Sequence, residues 1–332
     1  MKLFYTSCAQ LLHIVSKIVQ TMPLIDLVHE PVLKKEVIGV LMSKKIKTVF
    51  DGTLGLGGHA KLILENFPQL EKYIGVELDM QHLDFAQKKL KKWHKKTVFK
   101  NQNFSEIKEI LQTVGFFRPL VVLLDLGICS NQVDNGEKGF SFMQDGPLNM
   151  AFDKKNNGKC SEIINKFSEN ALSDIFKKWG EEPMHSSLAR KIVEGRKQKK
   201  IETTMELKSI IEANVPSYKV KKILMRIFQA LRIATNDELW HLEKVLHETV
   251  NLLELGDRFG VMSFHSLEDR MVKHFFRKKT EPKTEETVFS LHTQTEPAEF
   301  RLLSKKPIVP SQVEQEENSR SRSVKFRIIE KI

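Results

Sequence analysis

The sequence predicts an α/β fold, a parallel sheet covered by helices on both faces, with a helical domain inserted into it. Two observations carry this. Apolar strands followed by helical patterns recur through the first half of the chain, which argues for repeated strand-helix units. The pattern then changes after Gly127 to a loop rich in Gly and Asp and a helical region, before an apolar strand returns at "RFGVMSF". The core is therefore discontinuous in sequence.

Taken in order, the first strand is "KTVFD", and "DGTLGLGGHA", Asp51 to Ala60, turns it into a helix. Glycine reaches φ > 0 and lets backbone N–H groups approach a ligand, so a nucleotide-like cofactor belongs at this turn. "YIGVEL" is the second strand, followed by a Lys-rich helix from Met80 to Trp93, and "LVVLLDLG" is the next strand, Leu120 to Gly127. The helical region runs from about Ser161 to Tyr218, with breaks at Gly180 and Pro216. One long amphipathic helix is expected over "RIFQALRIATNDELWHLEKVLHETVNLL", ahead of Gly256 and the strand "RFGVMSF". Beyond it, "TEPKTEETVFSLHTQTEPAEF" is polar and turn-rich and is expected to be a mobile loop. The tail ends as an edge strand with Val324, Phe326 and Ile328 on one face and Lys325 and Arg327 on the other.

A chain of 332 residues suggests two domains or one domain with a large insertion. Its 41% hydrophobic and 29% charged residues exclude a disordered or fibrous protein. The net charge of +11 points to a polyanionic partner, nucleic acid ahead of an anionic membrane, with a merely basic surface as the bland reading. Cys8, Cys129 and Cys160 include no C-x-x-C pair and are too few for a disulfide framework or a zinc site, which fits a reducing compartment. No apolar run approaches the length of a membrane span. The first 25 residues contain no acid and place Leu11, Leu12, Ile14, Val15, Ile18 and Val19 on one helical face, in the manner of a mitochondrial presequence. They contain no Arg, and an ordinary leading helix or initiation at Met22 stands equally open.

Gly55, Gly57 and Ala60 satisfy G-x-G-x-x-A, and Glu77 ends the next strand about 20 residues on. That pattern suits NAD as well as S-adenosylmethionine, and Glu77 serves the ribose of either. Asp51 tilts the choice. An acid before the glycines repels a pyrophosphate but bonds, directly or through water, to the ammonium of a methionine moiety. Asp125 puts a carboxylate at the C-terminal sheet edge, where it could orient the exocyclic amine of a nucleobase, a poor nucleophile, toward an electrophilic methyl. Its bland alternative is a cap on the following turn. "SFHSLEDR" crowds His265, Ser266, Glu268, Asp269 and Arg270 into one turn at the same sheet edge, to hold a base or phosphate, or else to form a capping box with Ser266 as N-cap and Asp269 three residues later.

"HEPVLKKEV", "DGTLGLGGHA", "LLDLGICSNQVDNGEKGFSF", "DGPLNM", "WGEEP", "FQALRIATNDEL", "SFHSLEDRMVK" and "NSRSRSVKFR" together resemble the successive signatures of the small-subunit (16S-type) ribosomal RNA cytosine-N4 methyltransferases, a bacterial family with mitochondrial methyltransferase-like relatives. The resemblance runs in order from His29 to Arg327. It implies a seven-stranded, Rossmann-like S-adenosylmethionine-dependent methyltransferase core over residues 29–134 and 226–332, with residues 135–225 as a helical insertion for substrate recognition and residues 1–28 as an N-terminal extension. It implies cofactor contacts at Gly57, Gly58, His59, Glu77, Phe104, Asp125 and Gln132, and with the sheet-edge argument it puts Asp125, His265 and Ser266 forward as catalytic. The implied partner is small-subunit ribosomal RNA in an assembling subunit, in the mitochondrial matrix or alternatively the bacterial cytoplasm. Departures occur at Asn149, Ala151 and Phe152, where the family reads Asp-Met-Arg-Met over 149–152, and at Lys138 in place of Arg. They motivate an alternative, a catalytically weak ribosome-assembly factor that keeps the fold. A nicotinamide-dependent oxidoreductase is the third reading, supported by the glycine pattern only.

Overall fold

The computed structural model describes residues 30–128, 132, 136–285 and 294–332. The N-terminal extension lies outside them, so the presequence expectation does too, as do Cys8 and Cys129. Residues 31–332 form one compact unit.

A seven-stranded sheet organises this unit, in the order β3-β2-β1-β4-β5-β9-β8. β1 (Thr48–Asp51), β2 (Lys72–Val76), β3 (Thr97–Lys100), β4 (Leu120–Asp125) and β5 (Arg258–Ser263) are mutually parallel. β9 (Lys325–Lys331) runs antiparallel to β5 and to β8 (Phe300–Leu302). Parallel strands need crossovers: α1 (Gly58–Asn66), α2 (Met80–Lys89) and α3 (Ile107–Val114) supply them between β1 and β4. Side chains alternate between the faces. Val121 and Leu123 join Val49, Tyr73 and Phe326 in one core, while Val122 and Leu124 join Phe50, Ile74 and Phe259 in the other.

Between β4 and β5 the chain builds a separate helical lobe from α4 (Lys159–Lys166), α5 (Glu169–Lys178), α6 (His185–Gln198), α7 (Thr204–Glu212) and α8 (Ser217–Asn236). Leu172, Phe176, Leu188, Ile192, Leu224 and Ile227 lie in its own apolar core. That core continues to Ala234, so the expected boundary between 225 and 226 falls inside α8.

Three other expectations change. The single long helix is two, because Asp237 takes φ 50° and ends α8 before α9 (Glu238–Leu252) starts; Asp tolerates the left-handed conformation better than most residues. The tail strand β9 is internal to the sheet, since β8 covers its outer edge. Its Lys325 and Arg327 both bond to Asp269, at 2.9 and 2.8 Å. Finally, the segment expected as a loop contains paired strands β6 (Lys283–Glu285) and β7 (Gln294–Glu296) and contributes Phe300 to β8. Among the described residues no helix is long and apolar enough to cross a membrane.

Candidate active site

The strand order reverses between β1 and β4, and in open α/β sheets ligands bind at that switch point, outside the carboxyl ends of the strands. A cleft opens there, lined by Thr53, Leu78, Phe104, Leu126, Gly127, Glu238, His241 and Glu268 from the core and by Phe152 and Asn236 from the insertion.

The glycine turn is held by its own bonds. Gly55 N–H donates to Glu77 Oε2 at 2.9 Å, and Gly57 N–H donates to the Leu54 carbonyl at 2.9 Å. Neither N–H is left to cradle a phosphate, which fits a cofactor without one. Gly57 has φ +72°, and a Cβ there would sit 3.2 Å from Leu90, so the missing side chain serves both the turn and the approach of α2. Gly58 is the first residue of α1.

Glu77 also accepts from Asp79 N–H at 2.8 Å, and each carboxylate oxygen keeps a further lone pair for a ribose hydroxyl. Burial pushes its carboxyl up to about 7. Asp79 caps α2 and receives Gln132 Nε2 at 3.3 Å together with the ammonium of Lys138. Lys138, standing where the family pattern has Arg, therefore holds the rim of the cofactor side. Phe104 lines the cleft and meets His241 edge-on at 6.4 Å, and Ser105 Oγ bonds His241 Nδ1 at 2.9 Å.

Asp51, only 2% exposed and absent from the cleft lining, accepts from Tyr73 Oη at 2.7 Å and from Thr53 N–H at 3.1 Å, and so ties the strand end to β2 and to the turn that follows. Thr53 returns the favour to the next strand: its Oγ1 accepts Asp125 N–H at 2.6 Å.

Asp125 Oδ1 is buried and has no hydrogen-bond partner among the described residues. Its other oxygen lies 3.5 Å from His59 Nδ1. His59 Nε2 is 2.9 Å from the Val32 carbonyl, which only accepts, so Nε2 carries the proton and Nδ1 presents a lone pair. Burial lowers the His59 pKa and keeps the ring neutral. Burial, with the negative Glu268 adding to it, raises the Asp125 carboxyl to about 7. A proton between Oδ2 and Nδ1 thus turns a lone-pair clash into a hydrogen bond.

The capping box of α10 (Ser266–Thr280) is shifted by one residue from expectation: His265 is the N-cap and Glu268 its partner. His265 Nδ1 accepts from Glu268 N–H at 3.4 Å and Nε2 lies 3.2 Å from Glu268 Oε1. Burial works to raise the Glu268 carboxyl, but His265, Arg232 and the Phe264 N–H outweigh it and hold it below the usual range. Neither His265 nor Ser266 lines the cleft. Ser266 Oγ instead donates to Glu181 Oε2 at 2.7 Å, and Arg270 donates to Glu181 Oε1 at 2.8 Å, tying α10 to the "WGEEP" turn of the insertion. Sequence reasoning missed Thr53, Asn236 and His241; a hydroxyl two residues past a strand end was the available signal for Thr53.

Strand order, glycine turn and the acids at the strand ends are those of a nucleotide-type cofactor site in an open α/β sheet. The chain belongs to the MraW methylase family, whose model matches residues 26–332. It is 42% identical over 315 residues to Ribosomal RNA small subunit methyltransferase H of Protochlamydia amoebophila (94% of this chain, 99% of the relative). It is 38% identical over 308 residues to the protein of the same name from Halothermothrix orenii (92% and 98%). Among solved structures it is similar to an rRNA methylase from Streptococcus thermophilus, at 10% identity and a TM-score of 0.33 over 90% of this chain and 93% of that one, a likeness too weak to argue from. S-adenosylmethionine is the cofactor, and the nicotinamide reading drops out. Both named relatives are bacterial.

Proposed function

We propose that this enzyme methylates N4 of a cytidine in small-subunit ribosomal RNA, in a bacterial-type cytoplasm, with Asp125 as the group that receives the amine. The relatives' names support the RNA, and the observation that carries the atom is Asp125 Oδ1, buried, unpartnered among the described residues and at the switch point. Bound S-adenosylmethionine supplies an electrophilic methyl on a positively charged sulfur. Asp125 Oδ1 accepts an N4–H bond, which turns the nitrogen lone pair out of conjugation and toward that methyl. As the N4–C bond forms and the S–C bond breaks, N4 gives up one proton, and Asp125 takes it. His59 acts on Asp125: its ring is neutral with the Nδ1 lone pair toward Oδ2, so it donates no hydrogen bond to the carboxylate's charge, which raises the affinity of Asp125 for that proton. Gly57, Gly58, Glu77 and Phe104 hold the cofactor, while Gln132 acts through Asp79; His265 positions Glu268, and Ser266 joins the lobes.

Methylation of a ring carbon instead calls for a thiolate to attack the ring. Among the described residues the one cysteine, Cys160, sits in the insertion with its thiol pushed by burial up to about 12. The weak-catalyst alternative rests on the altered loop, yet that loop is held by backbone bonds: Asn236 Oδ1 accepts from Phe152 N–H at 2.9 Å and Asn236 Nδ2 donates to the Met150 carbonyl at 2.7 Å. Changes of side chain at 149, 151 and 152 leave those bonds in place.

Asp125→Asn is nearly isosteric and keeps an acceptor oxygen while losing the proton-accepting charge. Single-turnover rates at saturating cofactor should fall by about 10² to 10³. The wild-type rate should rise with pH through about 7, as the carboxyl ionises, and the variant should lose that limb. A wild-type rate in Asp125→Asn under these conditions removes Asp125 from the chemistry and leaves it a cofactor ligand.

A further inference from the structure

We propose that Phe152 is the stacking platform for the acceptor cytosine, the side chain that fixes the plane of the base within the cleft. The inference rests on the methyltransferase reading above and names a residue for its substrate side. Enzymes that act on a base take it out of its stack, and single-stranded bases are held by stacking on aromatic rings. A reaction that brings the purine of its cofactor and a pyrimidine into one cleft has two flat rings to seat. The cleft has two phenylalanines in its lining, Phe104 on the core side and Phe152 on the insertion side. Phe104 meets the His241 ring edge-on, next to Ser105, which bonds the same ring. Phe152 is left for the second ring.

Its setting suits that task. Phe140, itself buried, stacks on Phe152 with centroids 5.4 Å apart and planes 22° off parallel, so one face is covered while the residue remains half-buried at the cleft. The two bonds to Asn236 fix the backbone at 150 and 152, so the ring is oriented before any base arrives. Gly127, at φ +104° on the strand-end side of the same cleft, carries no side chain into it. A pyrimidine laid on Phe152 presents its edge, where N4 lies, to the strand ends that carry Asp125.

The test uses the full chain with unmethylated small-subunit RNA as substrate and measures KM for RNA alongside the Kd of S-adenosylmethionine by calorimetry without RNA. For Phe152→Leu the KM for RNA should rise about tenfold, the loss expected from one stacked base, while the cofactor Kd stays within about twofold. Phe152→Trp should restore KM, and Phe152→Met, closer in volume, gives the same comparison if Phe152→Leu folds poorly. An unchanged KM, or a cofactor Kd that weakens as much as KM, overturns the assignment while leaving the reaction intact. A wild-type chain that methylates no cytosine overturns the functional reading and this inference together.

Discussion

Asp51, Glu77 and Asp125 are three carboxyls that burial pushes up, to about 6, about 7 and about 7. In the folded chain each keeps a proton that the unfolded chain has already released near pH 4. Folded carboxyls of raised pKa contribute stability that is present below the unfolded value and lost as pH rises through the folded one. Between about pH 4 and 7 these residues therefore make the cofactor-free protein less stable as pH increases. Asp79, Glu268 and Asp269 have lowered values and act at the acid end, outside this window. Asp51, bonded to Tyr73 and Thr53, is the cleanest of the three to change, and the shift it carries is worth on the order of 2 to 3 kcal/mol across the window. Asp51→Asn should flatten the fall in unfolding free energy between pH 5 and pH 8, measured by urea titration. A slope equal to the wild-type one would mean that Asp51 is already ionised at pH 5.

At the scale of elements, the junction of α8 and α9 matters most to the site. Asn236, the last residue of α8, is 5% exposed and bonds the loop at Met150 and Phe152 as well as the Arg232 carbonyl behind it. Asn236→Ala leaves the buried Phe152 N–H and Met150 carbonyl without that partner and should cost about 1 to 3 kcal/mol of stability. RNA turnover should suffer with it while the glycine turn still binds cofactor; thermal melts and cofactor calorimetry read the two effects separately. The strands were legible because "TVF", "YIGV" and "LVVLL" are apolar runs bounded by turn residues, and the sheet follows from their repetition. The break at Asp237 was hidden because the apolar period continues across it and only the left-handed backbone of one Asp interrupts the helix. For the candidate site, residues tied to a strand end (Asp51, Glu77, Asp125) could be placed from sequence. What they meet could not: Tyr73 bonds Asp51, Thr53 accepts from Asp125 N–H, and the charge of Glu268 acts on Asp125 only in the fold.

Across the whole molecule, two lobes with separate cores meet over one cleft. The sheet lobe brings Thr53, Phe104, Leu126 and Gly127, and the helical lobe brings Phe152 and Asn236. Glu181, bonding Ser266 and Arg270, ties the helical lobe to the sheet lobe, and Asn236 fixes the 150–152 loop within the helical lobe. A net charge of +11 gives the chain a field suited to a phosphate backbone. The central claim is that the methyl arrives on the exocyclic nitrogen of cytosine in small-subunit RNA. Incubating the wild-type chain with unmethylated small subunits and S-adenosylmethionine bearing an isotope-labelled methyl, then digesting the RNA to nucleosides for mass spectrometry, tests it most directly. The account predicts the label in N4-methylcytidine. Label in 5-methylcytidine, in a ribose-methylated nucleoside, or in no nucleoside at all would contradict it.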